Sequence, residues 1–195
     1  MANGRKVIRP LVGIFCISCL AQSALADGYF LQVDAGSQTR SVVAAATTGP
    51  LNFGFNLSDY EGGLAVSTSF TYGLPLGDVA VLKIGPSIGA LRENGTWQNP
   101  ELGAKLSLDR YAATSFGSVY GLAELSSIDN AWFFLGQLTL QQPDVSFELS
   151  RGGSDSYRET TFVVQKKLTG RQMSLRLGYK LRSKEVFIGF NINTF

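Results

Sequence analysis

Charged side chains in this 195-residue sequence recur in step with apolar neighbours, and that spacing is where any chemistry must start. Asp34, Arg40, Glu61, Lys83, Glu101, Lys105, Asp109, Glu124, Glu148, Glu159, Arg176 and Lys180 each fall on the polar side of an alternating stretch. Successive side chains of a strand point to opposite faces, so these groups would share one surface. On such a surface acids and bases neutralise one another or meet a passing solute. Two carboxylates such as Asp109 and Glu124 could in principle serve glycoside hydrolysis, which needs a pair of acids. Only their place on neighbouring strands links these two, so no enzyme is expected. Acids slightly outnumber bases in the set, and a pore lined by it would weakly favour cations.

Composition narrows the chemistry further. There is no histidine, which excludes His-based triads and His-ligated metals. The two cysteines, Cys16 and Cys19, lie near the amino terminus. Beyond them the chain can form no disulfide, thiolate nucleophile or Cys-ligated metal centre. No metal and no cofactor are expected. Arg5, Lys6 and Arg9 precede the apolar run 11–20, and Ala24-Leu25-Ala26 follows it. This is the three-part pattern of a secretory signal peptide, with cleavage expected before Asp27. The domain reading is thus a cleaved leader, 1–26, and one domain, 27–195. Removing three basic residues from 17 leaves 14 against 15 acids. Without a basic surplus, nucleic acid is not an expected partner.

The elements that must position the charges are strands. Past residue 27 no stretch has helical period and length, and period-two alternation recurs between short turns. It predicts ten strands, at 28–42, 60–73, 79–91, 100–111, 115–127, 131–141, 145–150, 157–168, 172–181 and 185–195. The 145–150 segment is short, and eight is the alternative count. The connection 43–59 is the longest and would lie outside the cell, whereas Gln142-Pro143-Asp144 and Thr169-Gly170-Arg171 are short and would lie inside. An even number of strands of 10–13 residues with short inner turns is the pattern of an outer-membrane barrel. The expected fold is all-β, an antiparallel up-and-down transmembrane β-barrel of ten strands, eight being the alternative. Tyr29, Phe30, Tyr72, Tyr111, Phe116 and Phe195 would form the inner aromatic girdle. Tyr60, Trp97, Trp132, Phe133, Tyr157 and Tyr179 would form the outer one. Glycines inside strands, Gly85, Gly178 and Gly189 among them, would let the sheet curve.

The closing stretch VFIGFNINTF, ending at Phe195, resembles the terminal strand of bacterial outer-membrane β-barrel proteins. Its assembly signal would rest on Phe190, Ile192 and Phe195. Asn191 and Asn193 stand where that pattern usually has apolar residues, so a bulge near Thr194 would be needed to bring Phe195 round. The resemblance implies a place in the outer membrane of a Gram-negative bacterium. It also implies contact with membrane lipid and lipopolysaccharide, and recognition by the barrel-assembly machinery. A second, fainter resemblance runs through GAKLSLDRY, SVYGLAELSSIDNAWFFLGQL and SDSYRETTF. These are similar to segments of small barrels that accompany cellulose synthase operons, which implies help in exporting a polysaccharide.

Three functions compete on this reading. The first is a non-enzymatic narrow channel or export accessory handling a small solute or polysaccharide. The second is a structural or adhesive barrel with a plugged lumen, its 43–59 loop meeting partners. The third is a soluble periplasmic β-barrel that binds a ligand, with the apolar face turned inward and the charges outward.

Overall fold

The computed structural model describes residues 27–155 and 157–195; the expected leader, 1–26, lies outside them. The described chain is a run of antiparallel strands: β1 (Gly28–Gly36), β2 (Arg40–Thr48), β3 (Leu51–Tyr60), β4 (Gly63–Leu76) and β5 (Ala80–Glu93). After the two-residue β6 (Thr96–Trp97) come β7 (Glu101–Thr114), β8 (Gly117–Ser126), β9 (Trp132–Leu140) and β10 (Val145–Gly153). The chain ends with β11 (Arg158–Lys167), β12 (Met173–Lys180) and β13 (Glu185–Asn193). Each long strand pairs with its neighbours in sequence, β5 pairs with β7, and β1 pairs with β13. The result is a closed up-and-down barrel of 12 strands, with β6 folded against the end of β5. Closure leaves no free sheet edge among the 12 strands, as a membrane requires.

Twelve strands replace the expected ten, and the eight-strand alternative falls with them. The difference lies between residues 28 and 60. The segment expected as one strand, 28–42, turns back at Ser37-Gln38-Thr39, and the expected outer loop 43–59 is the hairpin β2–β3. Val42 to Ala46 is apolar or small on both faces, so alternation is mute there. The turn Gly49-Pro50 carries the only strong local signal, with Gly49 at φ 53° and its N–H donated to Asp27 Oδ1 at 2.7 Å. With that loop gone, the reason for expecting adhesion through it goes too. The segment expected to be short, 145–150, extends to Gly153.

The alternation itself holds. Facing residues of an antiparallel pair share one side of the sheet. Exposed Leu106, Leu108, Phe134, Leu149, Leu175, Leu177, Val186 and Ile188 all lie on the outer side. Asp34, Asn52, Thr71, Ser87, Glu148, Gln165, Arg176 and Asn191 lie on the inner side and are buried. A soluble barrel with an apolar interior would have the opposite arrangement. The start of β1, Gly28, and the end of β13, Asn193, lie at one end of the barrel. Strand β13 keeps Phe190 and Ile192 on the outer face, opposite Val33 and Leu31. Beyond it, Thr194 is tied to Tyr29: its N–H donates to the Tyr29 carbonyl at 3.0 Å and its Oγ1 accepts the Tyr29 N–H at 2.7 Å. Phe195 then lies exposed beside Gly28.

Candidate functional site

The interior divides into sectors. Along β10 to β1, long polar side chains knit the wall together. Arg176, on β12, donates from Nε to Asp34 Oδ1 at 2.9 Å and from Nη1 to Glu148 Oε2 at 3.0 Å. Asp34 is on β1 and Glu148 on β10, so one guanidinium links both flanks of the sector. Its side chain is only 2% exposed. Gln165 donates to Glu148 at 2.8 Å and accepts from Asn191 Nδ2 at 2.6 Å, extending the network. A buried charge needs such partners to offset its lost hydration. Gly189 makes this approach possible: a Cβ there would stand 2.1 Å from Asp34 Oδ1. Toward the end away from the chain termini, Phe187 turns inward over Gly178, whose Cβ would meet its ring at 2.1 Å. Lys180 lies 5.6 Å above that ring, 3.7 Å from Glu185, and donates to Thr39 Oγ1.

Across β5, β7 and β8 the charges form simple rungs. Lys83 pairs with Asp109 at 2.8 Å, and Lys105 with Glu124 at 2.8 Å. These side chains are 17–27% exposed, so water inside the barrel reaches them. Each acid has its own lysine, an arrangement of two ion pairs and not of two cooperating acids. The β2–β4 sector is different again, lined by Val43, Ala45, Gly54, Asn56, Ser67 and Ser69 on the inner register. Asn56 is exposed although it faces inward, so the lumen is open to solvent beside it. In the ring, β3 stands opposite β10, which places this small-residue wall across from Glu148.

At the mouth away from the termini, two carboxylates fasten the turns. Glu185 accepts the N–H groups of Gln38 at 2.6 Å and Thr39 at 3.0 Å. Glu159 accepts those of Arg182 at 2.8 Å and Ser183 at 3.0 Å. Tyr60, at the end of β3, stacks on Tyr157 with centroids 6.3 Å apart and planes 20° apart. Strands β2, β1, β13 and β12 intervene between β3 and β11, so this pair reaches across the opening. The Tyr157 phenol is pushed up to about 12 by burial and by Glu159 and Glu185, and stays neutral at ordinary pH. Beside it the 3-10 turn Ile128–Asn130 leans in, with Ile128 against Gly89 and Gly103.

Of the residues singled out by spacing, Asp34, Lys83, Lys105, Asp109, Glu124, Glu148, Glu159, Arg176 and Lys180 face the lumen within strands. Glu101 has the same register but lies exposed at the start of β7. Glu61 sits in the exposed turn between β3 and β4. Arg40 faces outward opposite Ala35, because the missed turn at 37–39 reverses its parity. Tyr60 leaves the expected outer girdle to face the mouth, and Phe30 and Phe133 point inward opposite Asn193 and Glu124. Glu185 and Phe187 were the main omissions. Their parity opposite Val186 and Ile188 would have disclosed both.

A closed antiparallel barrel with an apolar outside and a charged, partly hydrated inside defines the class: this is the fold of a transmembrane β-barrel. No protein-family model matches the chain, and neither does any curated protein. Two solved structures share the fold. One is a KdgM porin, with TM-score 0.53, 10% identity, and coverage of 86% of this chain and 99% of that one. The other is a KdgM porin in complex with disordered oligogalacturonate, with TM-score 0.51, 10% identity and the same coverage.

Proposed function

We propose that this protein is a non-enzymatic diffusion channel of the bacterial outer membrane, passing small polar solutes that are uncharged or cationic. The observation that carries the reading is the inner wall. Asp34, Asp109, Glu124, Glu148, Glu159 and Glu185 outnumber Lys83, Lys105, Arg176 and Lys180 within a closed ring whose outside is apolar. A ring with surplus carboxylates attracts cations and repels anions, most strongly where water does not screen it. On this reading solutes would pass between the partly exposed lysine–acid rungs and the wall of Ala45, Gly54, Asn56 and Ser69. Its hydroxyl, amide and glycine surface suits hydrated or hydroxylated solutes. Oligogalacturonate, bound by one of the similar porins, is a polyanion; the acid surplus argues for a different solute here. Export of a neutral polysaccharide rests on the sequence resemblance alone.

The test is reconstitution of residues 27–195 in a planar bilayer under a KCl gradient. A steady conductance with a cation-selective reversal potential is expected. Anion selectivity would overturn the solute class. A barrel silent at every voltage would overturn the channel itself and leave the plugged structural barrel, which the packing of Phe187 and Arg176 would then explain.

A further inference from the structure

The outer wall carries charges that the lumen reading does not use. On the strands, the outward-facing charged residues are nearly all basic: Arg40, Arg92, Arg110, Arg151, Arg158 and Lys166, with Asp59 facing Arg40 as the exception. Arg151 and Arg158 stand together. Arg151 pairs with Thr160 and Arg158 with Gly153, so they are diagonal neighbours at the end of β10–β11 away from the chain termini. Both are exposed, and neither has an acidic partner among the described residues. Trp132 and Phe134 flank them on β9, with ring centroids 5.7 Å apart. The Arg158 stem and the Trp132 ring close over Gly153, where a Cβ would meet them at 2.8 and 3.1 Å.

Below this pair the wall is shallowly recessed. Gly121 and Gly136 face each other across β8 and β9 on the outer side, with open space where their side chains would be. An open trench of about 790 Å³ runs from Arg151 past Phe134, Ala123, Gly136 and Leu149 to Leu108 and Arg110. A second hollow of about 320 Å³ continues it between Val119, Leu138, Phe147 and Phe162. Unpaired arginines facing lipid are costly except near the interface, where they meet headgroups. Guanidinium groups bind phosphate through two parallel hydrogen bonds, and a ring beside them sits well at headgroup depth.

We infer that β8–β11 form a lipid site. Arg151 and Arg158 would hold a phosphate of the acylated, phosphorylated glycolipid of the outer leaflet, and an acyl chain would lie in the trench over Gly121 and Gly136. The choice of leaflet rests on the outer-membrane reading above. The arginine pair and the trench fit a phosphate head joined to a chain, not a protein partner, for which the wall offers no continuous polar rim.

The full barrel, purified in detergent, would be offered diphosphorylated lipid A, phosphatidylglycerol or phosphatidylcholine and read by native mass spectrometry. Retention of lipid A is expected, with phosphatidylglycerol weaker and phosphatidylcholine absent. R151Q and R158Q should each weaken retention roughly tenfold, the scale of one lost charge-assisted hydrogen bond. A Gly136→Leu variant, which fills the trench, should weaken it independently. Equal retention of phosphatidylglycerol would overturn the glycolipid assignment. Equal retention of phosphatidylcholine, or arginine variants that bind like the parent, would overturn the site. Conductance of the same variants should match the parent. A silent parent that still retained lipid A would sink the channel reading and leave this one standing.

Discussion

Two sets of ion pairs line the same barrel, and they differ in how deeply they sit. Arg176, with Asp34 and Glu148, is almost wholly buried, and each charge has hydrogen-bonding partners on several strands. Lys83 with Asp109, and Lys105 with Glu124, each form a single contact between adjacent strands and stay in reach of water. Chemistry is shared and environment is not. A buried pair contributes little net stability over an apolar replacement, yet losing one member strands a charge in low dielectric. A partly hydrated pair is nearly neutral to the fold, but on the channel reading its field would extend into the water that a solute crosses. On that reading the first set holds the barrel's shape and the second filters.

The largest way to break that contrast is Arg176→Met. It leaves Asp34 and Glu148 facing each other without their cation, and a cost of about 3–5 kcal/mol in unfolding free energy is expected. Urea titration of the refolded barrel, read by the gel shift between heated and unheated samples, would measure it. Combining Arg176→Met with Asp34→Asn and Glu148→Gln should recover much of the loss, since no charge is then stranded. If the single variant were as stable as the parent, the hub would not be structural.

Smaller in stability, and larger in function, is neutralising the rungs. Replacing Lys83 and Lys105 together by Gln leaves Asp109 and Glu124 free in the water-reachable part of the lumen. Cation selectivity in the bilayer should rise, with stability changed by no more than about 1 kcal/mol. Asp109→Asn with Glu124→Gln should move the reversal potential the opposite way. Unchanged selectivity in both pairs would show that solutes do not pass along these rungs.

That both sets face inward could be read from sequence, and the reason is parity. Once a strand alternates cleanly, as at Leu102-Gly103-Ala104-Lys105-Leu106-Ser107-Leu108-Asp109, the face of each charge follows. What could not be read was which of the glycines within alternating stretches ends a strand. The β1–β2 turn follows Gly36, and the carboxylate of Glu185, from the far end of the chain, accepts the N–H groups of Gln38 and Thr39. A turn held by a side chain almost 150 positions away leaves little local mark; reading through it, and reading the β2–β3 hairpin as a loop, cost two strands and the face of Arg40. Depth was equally hidden. Alternation placed Arg176 and Lys105 on one face, but burial of the first depends on Gly189 and on neighbours from β1, β10 and β11 that closure brings together.

The finest test of the filtering sector lies at its entrance. Tyr60 and Tyr157 meet across the opening from strands nearly opposite in the ring, and on the channel reading their contact would narrow the path that leads to the rungs. Such a pair adds on the order of 1 kcal/mol beyond the area it buries, so removing it should barely affect folding. Tyr157→Ala should therefore raise single-channel conductance modestly while leaving the reversal potential where it was, because size is relaxed and the charges within are untouched. The two readouts separate the roles. A change in selectivity with no change in conductance would place the filter at the mouth and not along Lys83, Asp109, Lys105 and Glu124, and the division between a structural hub and a filtering ladder would need redrawing.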